Sequence, residues 1–217
     1  MSKRSSQYGR NLLVWIHVIT SVGWMSQALA LLTLMLVARL DPSVRDAAIA
    51  IARLLDRQVL AQLADASAFT GFMLSALTAW GYFRYWWVLA KFVITVAQLT
   101  VGIFFLDPDG TPLSIAAAAL MMSAIGFQAW MSIAKPWKKT PWGENGTPKR
   151  LPTGSPRVFL ACCAVPVTDL ALSLVCGFPA PLFSLLATIG YPIWRFRQLR
   201  HLPAAPAPRR TSEPIQV

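Results

Sequence analysis

Acidic residues are scarce in this chain, and most of its length carries no charge at all. Nine Asp and Glu face twenty Lys and Arg, charged residues make up only 13% of 217 positions, and 55% of positions are hydrophobic, a balance that excludes an ordinary soluble domain of this size. There are two histidines, His17 and His201, so a bundle cytochrome with paired axial histidines inside the membrane is excluded; Met25 or Met35 as a second ligand has nothing to support it. The three cysteines, Cys162, Cys163 and Cys176, share one apolar segment in a spacing that suits neither a disulfide framework nor a zinc site, and they read as small packing residues. No motif of catalysis, nucleotide binding or metal binding is present, so no cofactor and no metal are expected. The net charge of +11 would suggest nucleic acid if it lined a groove. The basic residues instead sit at the ends of apolar runs and in two tails, which excludes nucleic acid and points to anionic lipid heads.

What the chain does have is apolar runs of membrane-spanning length. They cover residues 11–38, about 62–82, 86–106, 112–134, 157–177 and 181–197, each near the roughly 20 residues that cross a bilayer core, the sixth being the shortest. Whether 157–197 makes two full spans or a re-entrant hairpin stays open. Lys3, Arg4 and Arg10, then Arg84, then Lys135, Lys138, Lys139, Lys149, Arg150 and Arg157, then Arg195, Arg197, Arg200, Arg209 and Arg210 all fall on one side. The opposite turns Asp107-Pro108-Asp109-Gly110 and Gly177-Phe178-Pro179-Ala180 hold no Lys or Arg. The expected architecture is therefore an all-α polytopic transmembrane helix bundle of about six spans, one domain over residues 1–200, with N- and C-termini cytoplasmic in the cell (inner) membrane. A disordered basic, Pro-rich tail occupies 201–217. The run through Ala28-Leu29-Ala30 continues unbroken to Val37, which favours an uncleaved helix over a signal peptide.

Residues 39–61 depart from the charge rule, holding Arg39, Arg45, Arg53 and Arg57 on the external side. Apolar residues at helical spacing predict an amphipathic surface helix over 42–60; the competing reading joins this segment to the second span as one projecting helix. Of nine tryptophans, Trp15, Trp80, Trp86, Trp87, Trp130, Trp137, Trp142 and Trp194 fall near the cytoplasmic boundary as an aromatic belt, and only Trp24 lies deep.

The informative residues are the polar ones inside the spans. His17, Thr20, Ser21, Trp24, Gln27 and Ala28 form one stripe of the first helix; Lys91, Thr95, Gln98 and Gly102 form one on the third; Cys162, Asp169, Ser173 and Cys176 form one on the fifth. Three such seams are expected to face a common bundle interior, because a polar face is not turned to lipid. By depth, His17, Lys91 and Gln128 make an inner set, and Gln27, Asp65, Gln98 and Asp169 an outer one. Asp169 stands out, since a carboxylate that deep costs roughly 2.5–3.5 kcal/mol on insertion scales. It serves either as a functional acid or as interhelical glue bonded to Thr168, Gln98 or Gln27. Lys91 is expected to snorkel and His17 to be a packed, hydrogen-bonded residue. Ser67, Gly71, Ser75 and Ala79 make a small-residue ladder for close helix approach.

His17-Val18, Ser21-Val22-Gly23-Trp24, Thr70-Gly71 and the run from Trp80 to Val88 ending in Lys91 resemble an uncharacterised group of multi-pass membrane proteins of actinobacteria, over roughly residues 11–106. In that group histidine often stands where this chain has Tyr85, and proline where it has Ala79, departures that weaken any metal or haem reading. The resemblance implies a helical inner-membrane protein and supplies no activity.

Two function classes follow. One is a non-enzymatic membrane protein, either a small-solute or proton pathway or an accessory subunit, meeting membrane lipids, a lipophilic or small-molecule ligand, or a membrane protein partner. The other is a membrane-embedded enzyme on a lipid-like substrate, such as an acid-initiated terpene (isoprenoid) cyclase with Asp169 or Asp65 as proton donor. A closed apolar pocket joining these acids to Trp24, Phe69 and Phe72 would favour the enzyme; a continuous wet path would favour transport; interlocked seams would favour a structural role.

Overall fold

A computed structural model describes residues 3–104, 107–141 and 154–200. The 201–217 tail, Trp142, Lys149 and Arg150 lie outside them. The chain is all-helical among the described residues, apart from a single bridge between Tyr85 and Lys139. In chain order the helices are α1 (Lys3–Leu40), α2 (Arg45–Leu55), a π turn (Asp56–Leu60), α3 (Ala61–Leu77), α4 (Trp86–Phe104), α5 (Pro112–Ala134), α6 (Pro156–Cys176) and α7 (Leu182–Arg200). Five helical stretches are long and apolar enough to cross a membrane: Gln7–Leu40, Arg45–Leu77, Trp86–Ile103, Pro112–Ala134 and Pro156–Cys176.

Local chemistry explains where these helices begin and end. Thr111 caps α5, its side chain accepting from the Ser114 N–H at 3.3 Å, and Pro112 follows where a missing N–H costs nothing. Asp109 accepts the Thr111 backbone N–H at 2.9 Å, and this bond holds its carboxyl below the ordinary carboxylate range. Gly177 ends α6 with φ +75°, a conformation glycine adopts without a Cβ penalty.

The segment expected as a separate surface helix behaves differently. α2, the π turn and α3 run as one helix from Arg45 to Leu77, the second of the two readings the sequence leaves open. No Gly or Pro occurs between Arg45 and Thr70, so nothing interrupts the backbone. At the π turn, Ala61 N–H bonds Asp56 O, five residues back, instead of four. The combined helix folds antiparallel against α1, where Ala48 and Ala52 are buried. At this end of the bundle the α4–α5 turn reaches α2 through an Arg53–Asp107 ion pair at 3.4 Å, both side chains solvated.

The other end is tied by main-chain bonds. Thr140 N–H donates to Arg84 O at 3.0 Å, and Gly154 N–H donates to Leu77 O at 2.9 Å. α3 ends at Leu77, so Ala79 falls beyond the helix and the small-residue ladder has three rungs, Ser67, Gly71 and Ser75. Trp15, Trp80, Trp86, Trp130, Trp137 and Trp194 are exposed, whereas Trp87 is buried against Trp80 and Tyr85.

Two apolar clusters fill the bundle. One joins Trp24, Ala28, Leu31 and Met35 of α1 to Leu60, Ala64, Ala118, Met121 and Ile125. The second joins Leu13 to Phe69, Met73, Leu77, Phe159, Cys162 and Cys163. Cys162 and Cys163 are thus packing residues, while Cys176 is exposed and leaves the α6 seam.

Candidate functional site

Each of the three polar seams makes its hydrogen bonds to its own partner helix, and His17 of the α1 seam lies in electrostatic reach of Lys91 of the α4 seam. On α1, His17 Nδ1 donates to Ser67 O at 3.1 Å and lies 3.0 Å from Thr70 Oγ1. A carbonyl only accepts, so Nδ1 carries the hydrogen. One turn further, Ser21 Oγ and Ser67 Oγ are 2.7 Å apart. Gly71 makes this approach feasible, because a Cβ there would stand 2.9 Å from His17 Cε1. Trp24 and Gln27 continue the stripe into the first apolar cluster: Trp24 is 3% exposed, and neither its Nε1 nor Gln27 Oε1 has a hydrogen-bond partner.

The α4 seam is taken up by α5. Lys91 Nζ donates to Ser132 Oγ at 2.6 Å, in the last turn of α5. Thr95 Oγ1 donates to Gln128 Oε1 at 2.8 Å, Gln128 Nε2 donates to Gln98 Oε1 at 2.6 Å, and Gln98 Nε2 donates to Met121 O at 3.0 Å. The two glutamines, expected at different depths, are therefore one unit. Ser132 Oγ closes the ladder on Gln128 O at 2.9 Å.

Asp169 does something else again. Its Oδ1 accepts from Phe183 N–H at 3.0 Å and its Oδ2 from Ser184 N–H at 2.8 Å. Those amides belong to the first turn of α7, where N–H groups have no partner within the helix. The carboxylate caps a helix it does not belong to, and the dipole at that end favours its negative charge. Ser173 supports the same turn, accepting Ala180 N–H at 2.9 Å. Of the partners proposed from sequence, Thr168 bonds the carbonyls of Ala164 and Val165, Gln98 bonds Gln128 and Met121, and Gln27 makes no bond to Asp169.

Asp65 lies on α3, half-buried, in electrostatic reach of Asp169 and without a hydrogen bond. The three aromatic residues that would line a cyclase pocket with these acids fall in different groups. Trp24 belongs to the first apolar cluster, Phe69 to the second, and Phe72 packs edge-on against Tyr82 and tilted against Phe92. An open groove between α1 and α6 is lined by Tyr8, Gly9, Leu12 and Leu160, at the far end of the bundle from Asp169. No group of three or more His, Cys, Asp or Glu that could hold a metal occurs among the described residues.

What fold and site define is an all-helical bundle with helices of membrane-crossing length, joined by interhelical hydrogen bonds. Comparison with protein-family models, with curated proteins and with solved structures finds no match for this chain.

Proposed function

We propose that this chain is a non-enzymatic multi-pass membrane protein, an accessory subunit that holds or positions a membrane partner. One observation carries the reading: the most costly polar groups of the spans are used up by the helices next to them, Asp169 by the α7 amides and the α4 seam by Gln128, Ser132 and Met121 O. Groups so engaged are not free to pass a solute or donate a proton to a substrate. The acid-initiated cyclase is the weaker reading, because a donor needs an available O–H and Asp169 accepts on both oxygens. A small-solute or proton pathway would run through Asp65, a half-buried acid of the spans without a hydrogen bond. In this reading α7 is a sixth span, the basic ends and both termini are cytoplasmic, the membrane is the cell membrane, and residues 11–106 share the architecture of the actinobacterial group they resemble.

Purified protein in nanodiscs and proteoliposomes tests it. Asp169→Asn keeps one acceptor and loses the charge, so it is expected to lose about 1.5–3 kcal/mol of stability, with no change in co-purifying small molecules by native mass spectrometry. Proton flux through wild type is expected to equal that of empty liposomes. A flux abolished by Asp65→Asn, or a ligand lost from an equally stable Asp169→Asn, would replace this reading.

A further inference from the structure

The seams differ in how completely their buried polar atoms are satisfied. The side-chain nitrogens and oxygens of Thr95, Gln98, Gln128 and Asp169 all take part in the bonds given above. On α1, by contrast, Trp24 Nε1 and Gln27 Oε1 are buried and bond to no protein group. Each such orphan is costly when left dry, and native interiors rarely keep them so.

Their placement makes them a pair. Positions 24 and 27 are one turn apart and neighbours on the helix surface. Long helical side chains lean toward the N-terminus, so the Gln27 amide comes back over the turn that bears Trp24. One atom is a donor and the other an acceptor, so a single molecule that both accepts and donates satisfies the two. The side chains packed with Trp24 are short or apolar: Ala28, Ala64 and Ala118 belong to the same cluster, and Leu60, which closes the π turn, packs there as well. A π turn locally widens a helix, and such turns concentrate at functional sites.

We propose that Trp24 and Gln27 form an internal binding site for one water molecule, which accepts from the indole N–H and donates to the amide oxygen. The site lies one turn beyond the Ser21–Ser67 hydroxyl pair, itself one turn beyond His17. The α1–α3 interface thereby becomes a line of exchangeable hydrogens that includes a water, while Thr95, Gln98 and Gln128 at the α4–α5 interface bond to protein groups. A buried water with two fixed polar partners is ordered and slow to leave.

The test uses the full chain, labelled with 15N at tryptophan, in lipid nanodiscs. The Trp24 indole resonance is identified by its disappearance in Trp24→Phe, which keeps an apolar ring. Wild type is expected to show a cross-relaxation peak between this N–H and water despite the burial of Trp24. Gln27→Leu, or Gln27→Met if the first fails to fold, is expected to abolish that peak and move the indole resonance. A wild-type indole with no water peak overturns the proposal, as does a peak that survives in Gln27→Met. A Trp24→Phe variant more stable than wild type would also count against it, because removing a dry orphan donor is favourable whereas removing a hydrated one is not.

Discussion

At Gly71 one added methyl group would run into the α1 helix. This Cβ would stand 2.9 Å from an imidazole held in place by two contacts, with Ser67 O and Thr70 Oγ1. Gly71→Ala is expected to lose about 1–3 kcal/mol, the usual range for overpacking, in reversible unfolding from mixed micelles. Combined with His17→Ala, which removes the obstacle, the same substitution is expected to cost much less; equal costs in both backgrounds would show that the clash is relieved some other way. Gly23 is a softer case, since the atoms 3.1 and 3.2 Å from its Cβ are the methyls of Leu63, which can turn aside. The sequence marks Gly71 as a rung of a small-residue ladder, and that much is legible from spacing alone. That its neighbour is His17 is not, because it depends on how α1 and α3 slide and rotate against each other.

At the scale of helices, the α4–α5 ladder shows how a polar seam replaces a driving force that lipid does not supply. Lipid tails are as apolar as leucine, so helix pairs rely on packing and on bonds across the interface. Gln128→Leu strands both Gln98 Oε1 and the Thr95 hydroxyl and is expected to lower stability by about 0.6–1.7 kcal/mol. The double variant Gln98→Leu, Gln128→Leu leaves only Thr95, whose hydroxyl can turn to its own helix carbonyl, and is expected to be more stable than Gln128→Leu alone. A double variant that sums the two single losses would contradict the ladder. The α4 seam is visible in the sequence because Lys91, Thr95 and Gln98 recur on one face, and Gln128 is visible as a buried polar residue. Their pairing is hidden, since it sets a relative rotation between two helices. Asp169 is the sharper instance. A deep acid is plain to see, but its partners are main-chain amides, which every residue has and no letter marks. One signal did exist: Gly177-Phe178-Pro179-Ala180-Pro181 leads into α7 with no Ser, Thr, Asp or Asn to cap it, so the cap had to come from elsewhere.

For the whole molecule, the test is orientation. The described basic residues Arg10, Arg84, Lys135, Lys138, Lys139 and Arg157 gather at the end of the bundle that also holds Trp86, Trp130 and Trp137. The Asp107–Gly110 turn sits at the opposite end beside Arg53 and Ile49. In a background without native cysteines, Asp107→Cys is expected to react with a membrane-impermeant maleimide added to intact spheroplasts, and Lys138→Cys only after lysis; the reverse pattern would invert the topology. Helix positions were legible across most of the chain because apolar runs and Pro or Gly punctuation coincide with helix ends. The continuous Arg45–Leu77 helix was less so, because its polar first half and apolar second half look like two elements until one notices that nothing breaks the backbone between them.

The cap on α7 also has a consequence for how the chain is made. During synthesis α6 emerges first, and Asp169 precedes the amides that donate to it, since Phe183 and Ser184 are still fourteen and fifteen residues away. The free acid and the uncapped helix are each poorly suited to lipid; together they are not. In the six-span topology proposed above, the last two helices are expected to insert as one hairpin, and a chain truncated between Gly177 and Pro181 is expected to leave Asp169 without the amides that hold it.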